Sequence, residues 1–71
     1  MDRLTMKILL DLERTIKTGM ATYWKPGKMG YTRELEKAGR YEDEIAEQIV
    51  KEDFDRRTVA IDEETVFKIL R

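Results

Sequence analysis

The stretch Arg3-Leu4-Thr5-Met6-Lys7-Ile8-Leu9-Leu10-Asp11-Leu12-Glu13-Arg14-Thr15-Ile16-Lys17-Thr18-Gly19 decides how the chain is built. Leu4, Ile8, Leu9, Leu12 and Ile16 fall within one stripe of helical period, which predicts an amphipathic helix over residues 3–18. Gly19 stands just after the last periodic residue, where a left-handed C-cap belongs. Met6 and Leu10 fall off the stripe. They would either extend toward a partner subunit or lie singly on the surface, as many apolar residues do.

Working outward, residues 20–25 (Met-Ala-Thr-Tyr-Trp-Lys) favour a strand through Thr22, Tyr23 and Trp24. Pro26-Gly27 is a turn signal, and Gly30 extends the loop over 26–30. Tyr31-Thr32 restarts order, and residues 33–38 allow one helical turn that closes at Gly39. Residues 42–53 read as a second helix with Ile45, Ala46, Ile49 and Val50 on its apolar face. Glu42, Asp43 and Glu44 crowd its first turn, where the helix dipole favours acids. Residues 57–61 read as a second strand. Asp62 then caps a short C-terminal helix carrying Val66, Phe67, Ile69 and Leu70.

The expected fold class is α+β: one domain over 1–71, order α-β-loop-α-β-α, with a small two-stranded sheet. Its segments are an N-terminal helix (1–19), an aromatic and basic strand-loop (20–41) and a helix-strand-helix (42–71). Two strands make a poor sheet, and a chain of 71 residues is marginal alone. The sequence has no Cys and no His, so disulfides and the usual zinc sets cannot staple it. Assembly as a homo-oligomer is therefore expected.

Charged and hydrophobic residues each make up 41% of the chain, a balance that fits a folded, well-solvated protein rather than a disordered one. The longest uncharged apolar run, Ile8-Leu9-Leu10, is far too short for a bilayer, so no membrane partner is expected. No signal-peptide pattern opens the chain, and the expected location is cytoplasmic. Net charge is −1, which argues against a DNA or RNA binder. Its distribution is uneven. Arg14, Lys17, Lys25, Lys28 and Arg33 follow one another with no acid between them, whereas residues 34–55 carry nine acids against Lys37, Arg40 and Lys51.

The chemistry of catalysis is thin. His, Cys and Ser are all absent, which removes the usual neutral-pH acid–base group and the commonest nucleophiles. A carboxylate pair would need a deep cleft, which so short a chain rarely supplies. Pro26-Gly27-Lys28-Met29-Gly30 lacks the spacing and the Lys-Ser/Thr ending of a phosphate loop. The reading is of a binding protein, not an enzyme, with no cofactor and no metal.

The segment from Tyr23 to Tyr41 carries the functional signal. Tyr23, Trp24, Tyr31 and Tyr41 are interleaved there with Lys25, Lys28, Arg33, Lys37 and Arg40. Rings stack bases, and cations, hydroxyls and backbone N–H groups take phosphates. Gly27 and Gly30 would let the loop approach a phosphate closely. The competing reading is that these aromatics are core. Tyr23 and Trp24 point to opposite faces of a regular strand. One of them is then exposed, at a subunit interface, or in a ligand site.

The run Tyr23-Trp24-Lys25-Pro26, Gly30-Tyr31-Thr32, Leu35, Ala38-Gly39-Arg40-Tyr41, Ala46 and Thr58-Val59-Ala60-Ile61 resembles a widespread family of short phage proteins. The resemblance extends to the phage anti-CBASS sponges within that family, which sequester cyclic dinucleotides. The resemblance covers about residues 22–61. It implies a homo-oligomer, a tetramer, that acts in the infected bacterial cell by holding a signal such as cyclic GMP–AMP without chemistry. Tyr23 and Trp24 are then the candidates for base stacking, with Tyr31 and Tyr41 beside them. Lys25, Lys28, Arg33 and Arg40 are candidates for phosphate contacts, and Thr32 for a hydroxyl hydrogen bond. The alternative is a small phage protein that inhibits a host protein through the acidic stretch Glu42–Asp55.

Overall fold

The computed structural model describes residues 6–53 and 57–70. The expected N-terminal helix is divided in two. Residues 3–5 of it lie outside the described residues, Met6–Asp11 form a strand, β1, and only Leu12–Thr18 are helical, as α1. Ile8 and Leu9 are both fully buried. Adjacent strand residues face opposite sides, so a strand that buries both is covered on both faces, and such strands read as continuous apolar runs. Ile8-Leu9-Leu10 is that run. The helical period arose from summing a two-faced strand with the short helix behind it.

Asp11 marks the junction. Its backbone is extended, and its carboxylate accepts the Arg14 N–H at 3.0 Å, capping α1. At the other end Gly19 takes the left-handed conformation (φ 72°) and donates its N–H to the Thr15 carbonyl, as expected from its place in the sequence.

The remaining elements are β2 (Tyr23–Trp24), β3 (Tyr31–Thr32), β4 (Tyr41–Glu42), α2 (Asp43–Glu52), β5 (Thr58–Asp62) and α3 (Glu63–Leu70). The sheet has five antiparallel strands, and the two-stranded sheet and the order α-β-loop-α-β-α are overturned. β1 is central. Along one edge it pairs with β5, from Lys7↔Asp62 through Asp11↔Thr58. Along the other it meets β4 near its start (Met6↔Glu42, Lys7↔Tyr41) and β2 near its end (Leu10↔Tyr23). β3 lies outside β2, with Tyr23↔Thr32 and Trp24↔Tyr31.

A helix covers each face. Ile8, Tyr23, Leu35 and Val66 of α3 form one buried cluster, joined by Leu10, Ala21, Ala38, Ile61 and Phe67. Leu9, Tyr41, Ala46 and Ile49 form the other, under α2, joined by Trp24, Val50 and Ala60. The extra strands come from short pieces. Two-residue strands carry almost no periodic signal, so β3 reads only as a restart of order after the loop, and β4 straddles the start of the expected helix. With five strands in one chain, an incomplete sheet no longer argues for a partner subunit. No helix among the described residues is long and apolar enough to cross a membrane.

Candidate functional site

The hairpin β2–β3 is closed by a tight turn. Lys25 N–H bonds the Gly30 carbonyl at 2.8 Å, and Met29 N–H reaches the Pro26 carbonyl at 3.3 Å. Gly27 (φ 66°) and Lys28 (φ 60°) are both left-handed, as the centre of a type I′ turn requires. Glycine accepts that conformation freely and lysine does not.

The turn is braced from below. Gly39 N–H donates to the Trp24 carbonyl at 2.8 Å, and the Gly39 Cα passes so close that an added Cβ would lie 2.7 Å from the Pro26 Cα. The buried Tyr41 hydroxyl donates to the Lys25 carbonyl and accepts the Lys28 N–H at 3.1 Å. The Ala38-Gly39-Arg40-Tyr41 and Trp24-Lys25-Pro26 segments therefore hold each other. Lys25, Lys28 and Met29 are presented at the exposed tip. Lys28 Nζ lies 3.9 Å from Glu52 of α2.

The tyrosines and the tryptophan divide by face. Tyr23 is 3% exposed in the core beneath α3, so its ring has no face open to a base. Burial also pushes its hydroxyl above the ordinary tyrosine range. Trp24 is half-buried on the α2 side. Its ring meets Tyr31 edge-on (centroids 5.6 Å, 73°), and its buried indole N–H has no hydrogen-bond partner among the described residues. The alternation expected of the pair is present, but both faces are covered, so neither ring is a fully open platform.

Beside Tyr31 the chain opens a pocket of about 220 Å³ lined by Arg14, Thr18, Thr22, Tyr31, Thr32 and Arg33. The Arg14 guanidinium stacks on Tyr31, 4.3 Å from the ring centroid. Its Nε is 3.3 Å from Oδ2 of the fully buried Asp11. Asp11 thus caps α1 and fixes the side chain of Arg14, while the ring holds the other side of the cation. Thr32 Oγ1 accepts the Glu34 N–H at 3.1 Å, which leaves its own proton to donate. Thr18 and Thr22 hydroxyls donate to the carbonyls of Arg14 (2.8 Å) and Met20 (3.0 Å). Arg33 is exposed and makes no ion pair among the described residues.

Of the residues singled out from sequence, Tyr31, Thr32 and Arg33 meet in this pocket, with Trp24 behind Tyr31. Lys25 and Lys28 stand on the loop tip instead. Arg40 lies elsewhere: its Nε is 2.5 Å from Glu63, and its guanidinium is 5.8 Å from the Phe67 ring. That neighbourhood is a larger pocket of about 590 Å³ lined by Glu36, Arg40, Glu63, Glu64, Phe67 and Lys68. Three carboxylates against two cations make it a poor host for a dianion, despite its size. Thr18 and Thr22 carry no signal as site residues in the sequence, and Arg14 stands out only as the first residue of the basic run; α1 and the segment after it bring all three beside Tyr31. A further local signal is Asp11, an N-cap residue three positions before Arg14.

Comparison with protein-family models, curated proteins and solved structures finds no match to this chain.

Proposed function

We propose that this protein is a non-catalytic binder of a small phosphorylated ligand of the nucleotide class. A cyclic dinucleotide immune signal such as cyclic GMP–AMP is the candidate to which the sequence resemblance points. Sequestering that signal in an infected bacterial cell would keep it from its effector. The observation that supports this reading is that Arg14 and Arg33 line one pocket together with Tyr31 and Thr32. Guanidinium groups bind phosphate oxygens in forked geometry, and Asp11 and Tyr31 hold one of them in place before a ligand arrives.

The resemblance and the pocket contribute different things. Trp24, Gly39 and Tyr41 are occupied with the shape of the hairpin. The motif they form therefore speaks to architecture, and the ligand reading rests on the pocket beside it. At about 220 Å³ the pocket is smaller than the roughly 300–1,000 Å³ usual for a whole small-molecule ligand. It suits one phosphate with its adjoining sugar or base. The rest of a cyclic dinucleotide would need a second copy facing it.

Calorimetric titration with cyclic dinucleotides, their linear counterparts and inorganic phosphate tests the proposal. Arg33→Ala removes an exposed side chain outside the core and is expected to weaken binding about 10- to 100-fold with the fold intact. Equal affinity in the variant would remove the pocket from the site.

A second reading rests on α2, whose outer surface exposes Asp43, Glu44 and Glu47 around a half-exposed Ile45. An acidic helix face with an apolar centre suits a basic partner protein. Asp55, the end of the stretch first considered for this role, lies outside the described residues. A flat ligand panel, together with stoichiometric capture of one host protein that is lost in Ile45→Arg, would favour this reading.

A further inference from the structure

β5 is an edge strand. It pairs with β1 along its whole length in an unbroken register and, among the described residues, with no strand on its other side. An open edge offers a row of main-chain donors and acceptors to another strand. Monomeric proteins commonly blunt it with lysine, proline or a bulge. The interior of β5, Val59-Ala60-Ile61, contains none of these. Val59 is 38% exposed at its middle.

The flanks are charged in opposite senses. Arg57 precedes the strand, and Asp62, Glu63 and Glu64 close it. A second copy laid antiparallel about a two-fold axis at Ala60 sets Thr58 opposite Asp62 and Val59 opposite Ile61. The Arg57 end then meets the acidic end of the partner, and the two-fold repeats that attraction at the other end. A parallel pairing would place Arg57 beside Arg57 and acids beside acids, and like charges side by side repel. Slipping the register by one residue would turn the apolar side chains away from each other's face. Charge and pattern therefore select one arrangement. Arg57 makes no ion pair within the chain among the described residues, so it is available for this role.

We infer that β5 is a self-association edge, joining two copies antiparallel about Ala60 into one continuous sheet. The inference does not depend on the nucleotide reading. β3 and the Arg14–Arg33 pocket lie on the far side of β2 and β1 from this edge, so the contact neither completes nor blocks that pocket.

Sedimentation equilibrium of the full chain, from low micromolar to near-millimolar concentration, tests it. A monomer–dimer equilibrium is expected. Val59→Lys and Arg57→Glu should each raise the dissociation constant at least tenfold with unchanged far-ultraviolet dichroism. Should either single variant unfold, amide hydrogen exchange of the wild-type chain replaces it: protection of β5 amides should rise with protein concentration. A wild-type monomer at every concentration would overturn the inference and leave the edge to a different partner. So would a dimer indifferent to both substitutions, or β5 exchange that ignores concentration.

Discussion

Gly39 and Tyr41 show how single residues shape this molecule. Gly39 is needed for space, since a Cβ there would overlap the backbone of Pro26 and Lys25. Gly39→Ala is therefore expected to destabilise by about 2 kcal/mol, a fall in Tm of roughly 10 °C for a domain of this size, read by thermal melting. Tyr41→Phe deletes the hydroxyl that serves both the Lys25 carbonyl and the Lys28 N–H. A loss of about 1–2 kcal/mol is expected, with faster exchange of the Lys28 amide as the local readout. The sequence showed that these residues were unusual, since an Ala-Gly-x-Tyr step among aromatics stands out. It could not show why. The backbone they meet lies some fifteen positions earlier, and spacing alone does not say which carbonyl a tyrosine will reach. Tyr23 is the reverse case: an aromatic beside a ligand-like loop that belongs to the core.

Among the elements, β1 carries the most and was read least well. Its neighbours α2, β5 and α3 fall within one or two residues of where periodicity and capping put them. Each is an uninterrupted pattern of one period. The N-terminal stretch changes period at Asp11, and a window that spans the change averages strand and helix into a false stripe. The two-residue strands β3 and β4 are set by pairing with distant residues, so no local signal marks them.

β1 also gives the molecule a pH limit. Lys7 bonds Asp62 on β5 and lies 3.5 Å from Asp43 of α2. The Asp62 hydrogen bond, followed by the charges of both acids, holds the Lys7 ammonium above its ordinary value of 10.5 against the opposing effect of burial. Tyr23, paired with β1 at Leu10, is raised above its ordinary 10.0 by burial. Both folded-state values are raised. The stability they contribute is complete below their ordinary values and is lost as pH rises through the raised ones. Wild-type stability is expected to be level with respect to these groups up to about pH 9.5 and to fall above it. Lys7→Met should lose stability at neutral pH and show a shallower alkaline fall. Tyr23→Phe should also flatten the fall. Melts across pH 7–11.5 check this, and identical alkaline slopes in all three proteins would contradict it.

At the scale of the whole molecule, the sequence separates a basic run from an acidic one, and the fold brings parts of the two together: Lys28 of the hairpin tip lies 3.9 Å from Glu52 of α2, and Arg40 pairs with Glu63. The basic run was legible in the sequence, and so were Tyr31, Thr32 and Arg33 as site residues. Arg14 was part of that run, but its place beside Tyr31, with Thr18 and Thr22, was not legible, because it is set by how α1 packs against the β2–β3 hairpin and not by local sequence. Arg40 was misplaced for a related reason. It is one residue from Tyr41 in sequence, yet it lies on the α3 side of the sheet, paired with Glu63.

Ligand binding at the Arg14–Arg33 pocket is tested most directly by thermal shift of the wild-type protein and Arg33→Ala with cyclic GMP–AMP, its linear counterpart and inorganic phosphate. At a hundred times its dissociation constant a ligand adds about 2.7 kcal/mol, a rise of roughly 10 °C or more here. Such a rise is expected for the cyclic ligand in the wild-type protein, with its near-abolition in Arg33→Ala. No shift with any phosphorylated ligand, or the same shift in both proteins, would contradict it.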